Sequence, residues 1–300
     1  MPDGGAQLYI RSEYEASAIG AADHGDVART LSLFERIRNI NAVRKLSILV
    51  GLVVLWELYT RLGDVSELIL PPFSATGAAL LQALWDENLI FMIGNSISVL
   101  LIGYVIGIVI ATVLTTLAVT SRFGSDLLGT LTAMLNPLPA IALLPMALLW
   151  FGLGADAIVF TLLHSVVWPV ALNTHTGFLG VSDTQRMVGK NYGLRGLSYV
   201  AKILIPAAFP SILTGLRIGW AYAWRTLIAA ELVFGGSIAD TQGTSSGGLG
   251  WFIFANQMDL RIPYVFAGLF SVIVVGVLVE NVVFRKIEEH TVARWGMQIQ

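Results

Sequence analysis

The 300-residue chain is 55% hydrophobic and only 13% charged, with a formal net charge of −2 and no cysteine. Its mean hydropathy of +0.73 sets it apart from average soluble domains, in which roughly 25% of residues are charged, and this excludes a soluble globular fold. The missing cysteines exclude disulfides and thiolate metal sites, and the redox compartment stays unread.

Residues 1–28 are polar and mildly acidic and lack the basic start and apolar segment of a cleaved signal peptide. Residues 1–44 are therefore expected to form a cytoplasmic tail, disordered in part. The run 46–60, LSILVGLVVLWELYT, predicts a first span with Glu57 near one end. Within 61–92, PPFSATGAALLQALW predicts a short amphipathic helix at the surface. The uncharged runs 88–121, 127–155, 157–182 and 262–279 each have room for one crossing of about 20 apolar residues. The run 209–235 predicts another, although it contains Arg217, Arg225 and Glu231. Six spans with no strand alternation make an all-α polytopic membrane helix bundle, with a membrane domain over 45–285 and a cytoplasmic C-terminal tail over 286–300. No internal repeat, inverted or parallel, is visible.

Basic residues orient the spans. With the N-terminus inside, the inner segments hold Arg11, Arg29, Arg36, Arg38, Arg44, Lys45, Arg122, Arg186, Lys190, Arg195, Lys202, Arg285, Lys286 and Arg294. The outer segments hold only Arg61 and Arg261. Both termini are thus expected in the cytoplasm, FGLGAD (151–156) forms a tight outer turn, and 236–261 is an outer loop that begins rich in Gly and Ser.

One inner segment is unusual. MVGKNYGLRGLSYVAKILIPAAFP (187–210) interrupts an apolar chain with Lys190, Arg195 and Lys202. It predicts two short helices broken at Gly193, where glycine permits φ > 0. Pro206 and Pro210 mark the entry to the fifth span. Two readings fit these residues. One is an interfacial helix anchored by Tyr192, Leu197, Tyr199 and Val200, with its cations on anionic lipid; the other is a docking elbow for a cytoplasmic partner.

Gly193 followed by Ile203, Ile205 and Pro206 is similar to the EAA-loop motif of ATP-binding-cassette importer permeases. NPLPAIALLPMALLWFGLG (136–154), NTHTGF (173–178), LIPAAFPSILTGLRIGWAYAWRTLIAAE (204–231) and GGLGWFI (247–253) resemble, in order, segments of the nitrate/sulfonate/taurine/bicarbonate-type inner-membrane permeases. The resemblance covers about residues 45–295. It implies a coupling helix seated in a groove of an ATPase subunit, with Met187, Val188, Gly189, Lys190, Tyr192, Gly193, Arg195, Ile203, Ile205 and Pro206 as the coupling residues. The motif's Glu-Ala-Ala falls on Met187, Val188 and Gly189, so the acidic contact is absent here. The resemblance further implies a second, identical permease chain, two cytoplasmic ATPase subunits that hold ATP and Mg, an extracytoplasmic solute-binding protein, and a multi-pass place in a bacterial inner membrane.

Intramembrane charge supplies the remaining candidates. Arginine at mid-membrane costs at least about 2.5 kcal/mol on insertion scales, so it faces protein or a wet path. Arg217 and Arg225 are eight residues apart and fall on a common helix face. Arg217 is expected to be structural, and Arg225, beside Trp224, is the candidate for an anion on the path. Glu231 pairs with a cation, faces the outer vestibule or is structural. The candidate substrate path is thus Arg225, Trp224, Arg217 and Glu231. His164 and His175 are isolated from other ligand types, which disfavours a metal site. Adjacent helical residues point apart, so His164 and Ser165 make no nucleophile–base pair. GxxxG occurs at Gly103–Gly107 and Gly215–Gly219, a weak packing signal. No G-x-x-x-x-G-K-[ST] phosphate loop is present, so any ATPase is a separate polypeptide.

The reading is a permease subunit, not an enzyme, with no cofactor of its own. It passes a small anionic solute, contacts membrane lipid and binds no nucleic acid. The alternative, a stand-alone secondary transporter, needs carboxylates in mid-membrane for ion coupling, whereas Glu57 and Glu231 lie near span ends.

Overall fold

A lipid-exposed helix must bury its backbone polar groups within itself and meet its neighbours through small residues, because lipid tails compete with large aliphatic side chains for contact. The computed structural model, which describes residues 41–241 and 247–294, follows that rule throughout. Residues 1–40 of the expected 1–44 tail, the 242–246 portion of the outer loop and residues 295–300 of the expected 286–300 tail lie outside the described residues. The chain divides into two compact units, 1–55 and 56–300. The described part of the first is the start of α1 (Asn41–Leu62), where Leu46, Ile48, Leu49 and Leu52 are exposed.

The second unit continues α1 from Trp56, whose ring stacks on Phe270 and meets Phe73 edge-on. It then contains α2 (Phe73–Asp86), α3 (Leu89–Thr120), α4 (Arg122–Leu135), a 3-10 turn at Ala140–Leu143 and α5 (Leu144–Phe151). After these come α6 (Ala155–Leu179), α7 (Asp183–Asn191), α8 (Gly196–Tyr199), a π-turn at Val200–Leu204 and α9 (Ile205–Thr241). Last are α10 (Leu249–Met258), α11 (Ile262–Leu278), a π-turn at Val279–Phe284 and α12 (Arg285–His290). Among the described residues there is no strand.

Four helical runs among the described residues are long and apolar enough to cross a membrane: α3, α6, the run through α9 and the run through α11. The expected single span over 127–155 is instead broken. Helix α4 and the segment Ala140–Phe151 meet at 88°. The cause is NPLP (136–139), where two prolines cannot donate and disfavour helix in the residues before them. Counted as one broken crossing, this pair makes a fifth span. The remaining expected span, α1, is 22 residues long, about 33 Å at 1.5 Å per residue, but includes Arg44, Lys45, Glu57 and Arg61. The outer loop expected over 236–261 is also mostly helix, since α9 continues to Thr241 and α10 occupies 249–258.

Helix α6 is the axis of the bundle. Its apolar stretch is 61% buried, against 22% for α3. Two small-residue seams grip it. A Cβ placed on Gly107 would lie 2.7 Å from the Val166 Cβ, and one on Gly103 would lie 2.9 Å from the Leu162 Cβ. From α9, Gly215 and Gly219 abut Asn173 and Val170 in the same way. Both GxxxG pairs are therefore true contact seams. Along α3 the buried positions are Leu89, Ser96, Leu100, Gly103, Gly107, Ala111, Thr115 and Ala118, mostly small beyond the first turn, while Leu101, Ile102, Val105 and Val109 face out. Small residues inside and large aliphatics outside is the pattern of a membrane helix, the reverse of a soluble one.

Candidate functional site

Where α4 breaks, the NPLP turn leaves space against α6 and α9. The resulting cavity holds about 390 Å³. Asn136, Pro139 and Ile141 line it from the break, His164, Ser165 and Trp168 from α6, and Tyr222, Arg225, Thr226 and Ala229 from α9. Arg225 is the one formal charge among the described lining residues, and no described carboxylate neutralises it. Ser165 and Thr226 share a hydrogen bond at 2.9 Å across the helix pair. Trp168 Nε1 donates to His164 Nδ1 at 3.2 Å. Arg225 is exposed at this recess, and a cation set beside hydroxyl, indole and imidazole groups there favours anions over cations.

The other expected path residues lie elsewhere. Trp224 follows the next helical direction, is buried, and donates from Nε1 to the Val272 carbonyl at 3.3 Å. It faces α11 and not the cavity. Arg217 shares no environment with Arg225 despite their spacing. Its Nη2 donates to Glu288 at 2.8 Å, its Nε lies 2.9 Å from a Glu280 carboxylate oxygen, and its guanidinium sits 5.9 Å from the Phe284 ring centroid. The π-turn at 279–284 and the turn after it bring both carboxylates to Arg217, which ties α9 to the last helical run. Glu231 is buried and away from the cavity. Its Oε2 accepts from the Gly250 N–H at 2.8 Å, and Ser96 Oγ donates to it at 2.8 Å while accepting from the Leu249 N–H. The carboxylate and Ser96 Oγ thus satisfy one orphan donor each at the start of α10, where the helix dipole favours negative charge.

The elbow is built by paired caps. Ser182 Oγ accepts from the Gln185 N–H at 3.4 Å at the start of α7. At the end of α7, Gly193 has φ +69°. The Leu194 N–H reaches the Gly189 carbonyl at 3.0 Å, and the Gly193 N–H reaches the Lys190 carbonyl at 2.9 Å. These are the paired bonds of a Schellman cap, which requires a left-handed residue at the position Gly193 occupies. Gly196 adds a second left-handed residue, with φ +55°. Arg186 anchors the elbow to α6 by donating to the Val181 and Phe178 carbonyls at 3.0 and 2.5 Å. A small core of Phe178, Val181, Leu204 and Ala208 lies beneath, with Tyr199 and Val200 packed on it. Those last two side chains, read from sequence as membrane anchors, therefore point inward.

Of the expected coupling residues, Met187, Val188, Lys190, Tyr192 and Arg195 are exposed, Tyr192 at 81%. Gly189 is buried instead. A Cβ there would lie 2.8 Å from both Ile203 Cγ1 and Tyr199 Cε2, so it supports the elbow from within. The π-turn ends with Ile205 N–H bonded to the Val200 carbonyl, directly before Pro206. The widened turn accommodates a ring that would otherwise strike the carbonyl four residues back.

Residues 103–285 match the family described as binding-protein-dependent transport system inner membrane component. The chain belongs to this family. The match takes in both GxxxG seams, the cavity and the elbow. A nitrate import permease of Synechocystis sp. is 30% identical over 71% of this chain and 72% of that protein. A bicarbonate transport system permease of Synechococcus elongatus is 26% identical over 78% and 84%, respectively. A Methanocaldococcus jannaschii protein, provisionally named an ABC transporter permease, is 29% identical over 82% and 90%. The chain is accordingly the membrane-spanning permease subunit of a binding-protein-dependent importer, a multi-pass inner-membrane component. Its partners include an ATPase and a solute-binding protein, and ATP hydrolysis belongs to the former.

Sequence reasoning missed His164, Ser165, Thr226 and Asn136 as cavity groups. The readable signal for the first was the His-x-x-x-Trp spacing, which places Trp168 one helical turn from His164.

Proposed function

We propose that this permease passes a small oxyanion through the Arg225 cavity during alternating access. The observation behind this reading is Arg225 itself, a mid-span guanidinium beside a cavity whose described walls contain no counter-charge. The relatives named for nitrate and bicarbonate support the same solute class. In this reading the binding protein delivers solute on the extracytoplasmic side, and both termini, the 1–44 and 286–300 tails included, lie in the cytoplasm. A second identical chain completes the path, and the 45–285 domain sits in lipid. The elbow docks on an ATPase subunit that holds ATP and Mg, through exposed Tyr192, Met187 and Val188 and through the cations Lys190 and Arg195. Gly193, Gly189, Ile203, Ile205 and Pro206 shape it.

Arg225→Gln tests the proposal, since it keeps hydrogen-bonding capacity and most of the volume while removing the charge. In the reconstituted importer, uptake is expected to fall at least about tenfold on loss of the unit charge that faces the path, with assembly intact. Unchanged rate and unchanged anion preference would make Arg225 a packing residue.

A further inference from the structure

His164 and Trp168 meet edge to face on α6, with ring centroids 6.1 Å apart. An indole N–H can only donate, so the His164 Nδ1 that accepts it presents a lone pair. A neutral imidazole then holds its proton on Nε2. That Nε2 is buried and has no hydrogen-bond partner, although the His164 residue lines the same cavity as Arg225. Nearly all buried donors in native proteins find an acceptor, so this orphan Nε2–H is a donor left unused in the conformation seen, at the wall of the cavity.

We infer that His164 is a solute-binding residue: its Nε2–H, held in that tautomer by Trp168, donates to one oxygen of an oxyanion whose charge rests on Arg225. This rests on the cavity being the translocation path. The donor set selects the ligand's chemistry. The solute must offer separate acceptor oxygens to a guanidinium and to an imidazole N–H, as nitrate, bicarbonate and sulfonates do. An ammonium ion has only donors and gains nothing from either group. Nε2 is covered in the conformation seen, so solute reaches it when the wall shifts, a motion that alternating access supplies. Trp168 is a positioning residue, acting only through the imidazole.

The test uses the assembled importer in lipid nanodiscs, carried through its ATP cycle, with the permease labelled with ¹⁵N on its histidine rings. The sequence has four histidines, and His164 is assigned by the signal that His164→Asn removes. The expected spectrum shows His164 solely as the Nε2–H tautomer. Nitrate, bicarbonate or methanesulfonate is expected to shift its Nε2 signal, and methylammonium is not. Trp168→Phe, which deletes the N–H and keeps an aromatic ring, is expected to mix the tautomers and shrink the anion-induced shift severalfold. A structural role alone leaves the Nε2 signal unmoved by all three oxyanions. An Nδ1–H tautomer, or an Nε2 signal that none of the three oxyanions moves, overturns the inference, and the wild-type titration decides even if Trp168→Phe does not fold. If Arg225→Gln abolishes uptake while the Nε2 signal ignores every oxyanion, the path reading stands and the His164 role alone fails.

Discussion

Gly193→Pro is expected to abolish the coupling of ATP hydrolysis to transport while the chain still inserts and the cavity remains intact. Two independent requirements fail at once. Proline fixes φ near −65°, whereas position 193 needs +69°. Proline also removes the N–H that bonds the Lys190 carbonyl. A graded series separates conformation from bulk, because nothing lies within 4 Å of a Cβ built on Gly193. Asparagine tolerates the left-handed region, alanine there costs roughly 1 kcal/mol, and a β-branched side chain costs more. Stimulation of the partner ATPase by loaded binding protein should therefore decline in the order Gly, Asn, Ala, Val, with Pro inactive. A series that instead tracked side-chain volume would contradict the cap as the source of the elbow's shape.

Gly107→Leu is expected to have the largest effect on the fold itself. Its Cβ would fall 2.7 Å from the Val166 Cβ, and Val166 is wholly buried on the axial helix α6. A Cβ cannot rotate away, so α3 and α6 must separate. Overpacking of this kind costs about 1–3 kcal/mol even for added methylenes, and a leucine at a backbone seam exceeds that. Loss of folded protein in detergent, or a markedly lowered Tm, is the expected readout. Gly94→Ala, on the same helix with nothing within 4 Å of its Cβ, serves as the control and should be neutral or slightly stabilising, since alanine has the better helix propensity.

The uncharged runs 88–121, 157–182 and 262–279 appear as α3, α6 and α11 because in lipid apolarity over about 20 residues leaves few alternatives to a helix. Gly193 was legible for a similar reason, since a glycine between two short helical segments has one common use. The break at NPLP was present in the sequence but hidden by the length of the apolar run around it. Facing was less legible. Trp224 and Arg225 are neighbours in sequence, yet successive helical side chains diverge by about 100°, and only the tertiary packing reveals which one meets α11. Glu231 finds Ser96, 135 residues away, and no local pattern announces such a pair. Arg217 likewise meets Glu280 and Glu288 only because a π-turn re-aims the last helix.

The absence of native cysteine makes the central claim open to one direct measurement. Ala229→Cys places a single thiol on the cavity wall near the Arg225 turn of α9. In the assembled importer, a sulfonate-bearing methanethiosulfonate should label it at least about tenfold faster than a trimethylammonium-bearing one, as expected for a unit cation at roughly 8 Å with an effective dielectric of about 20. Adding Arg225→Gln should erase that preference. Equal labelling by both reagents with Arg225 in place, or no labelling by either at any stage of the transport cycle, would contradict an anion path through this cavity.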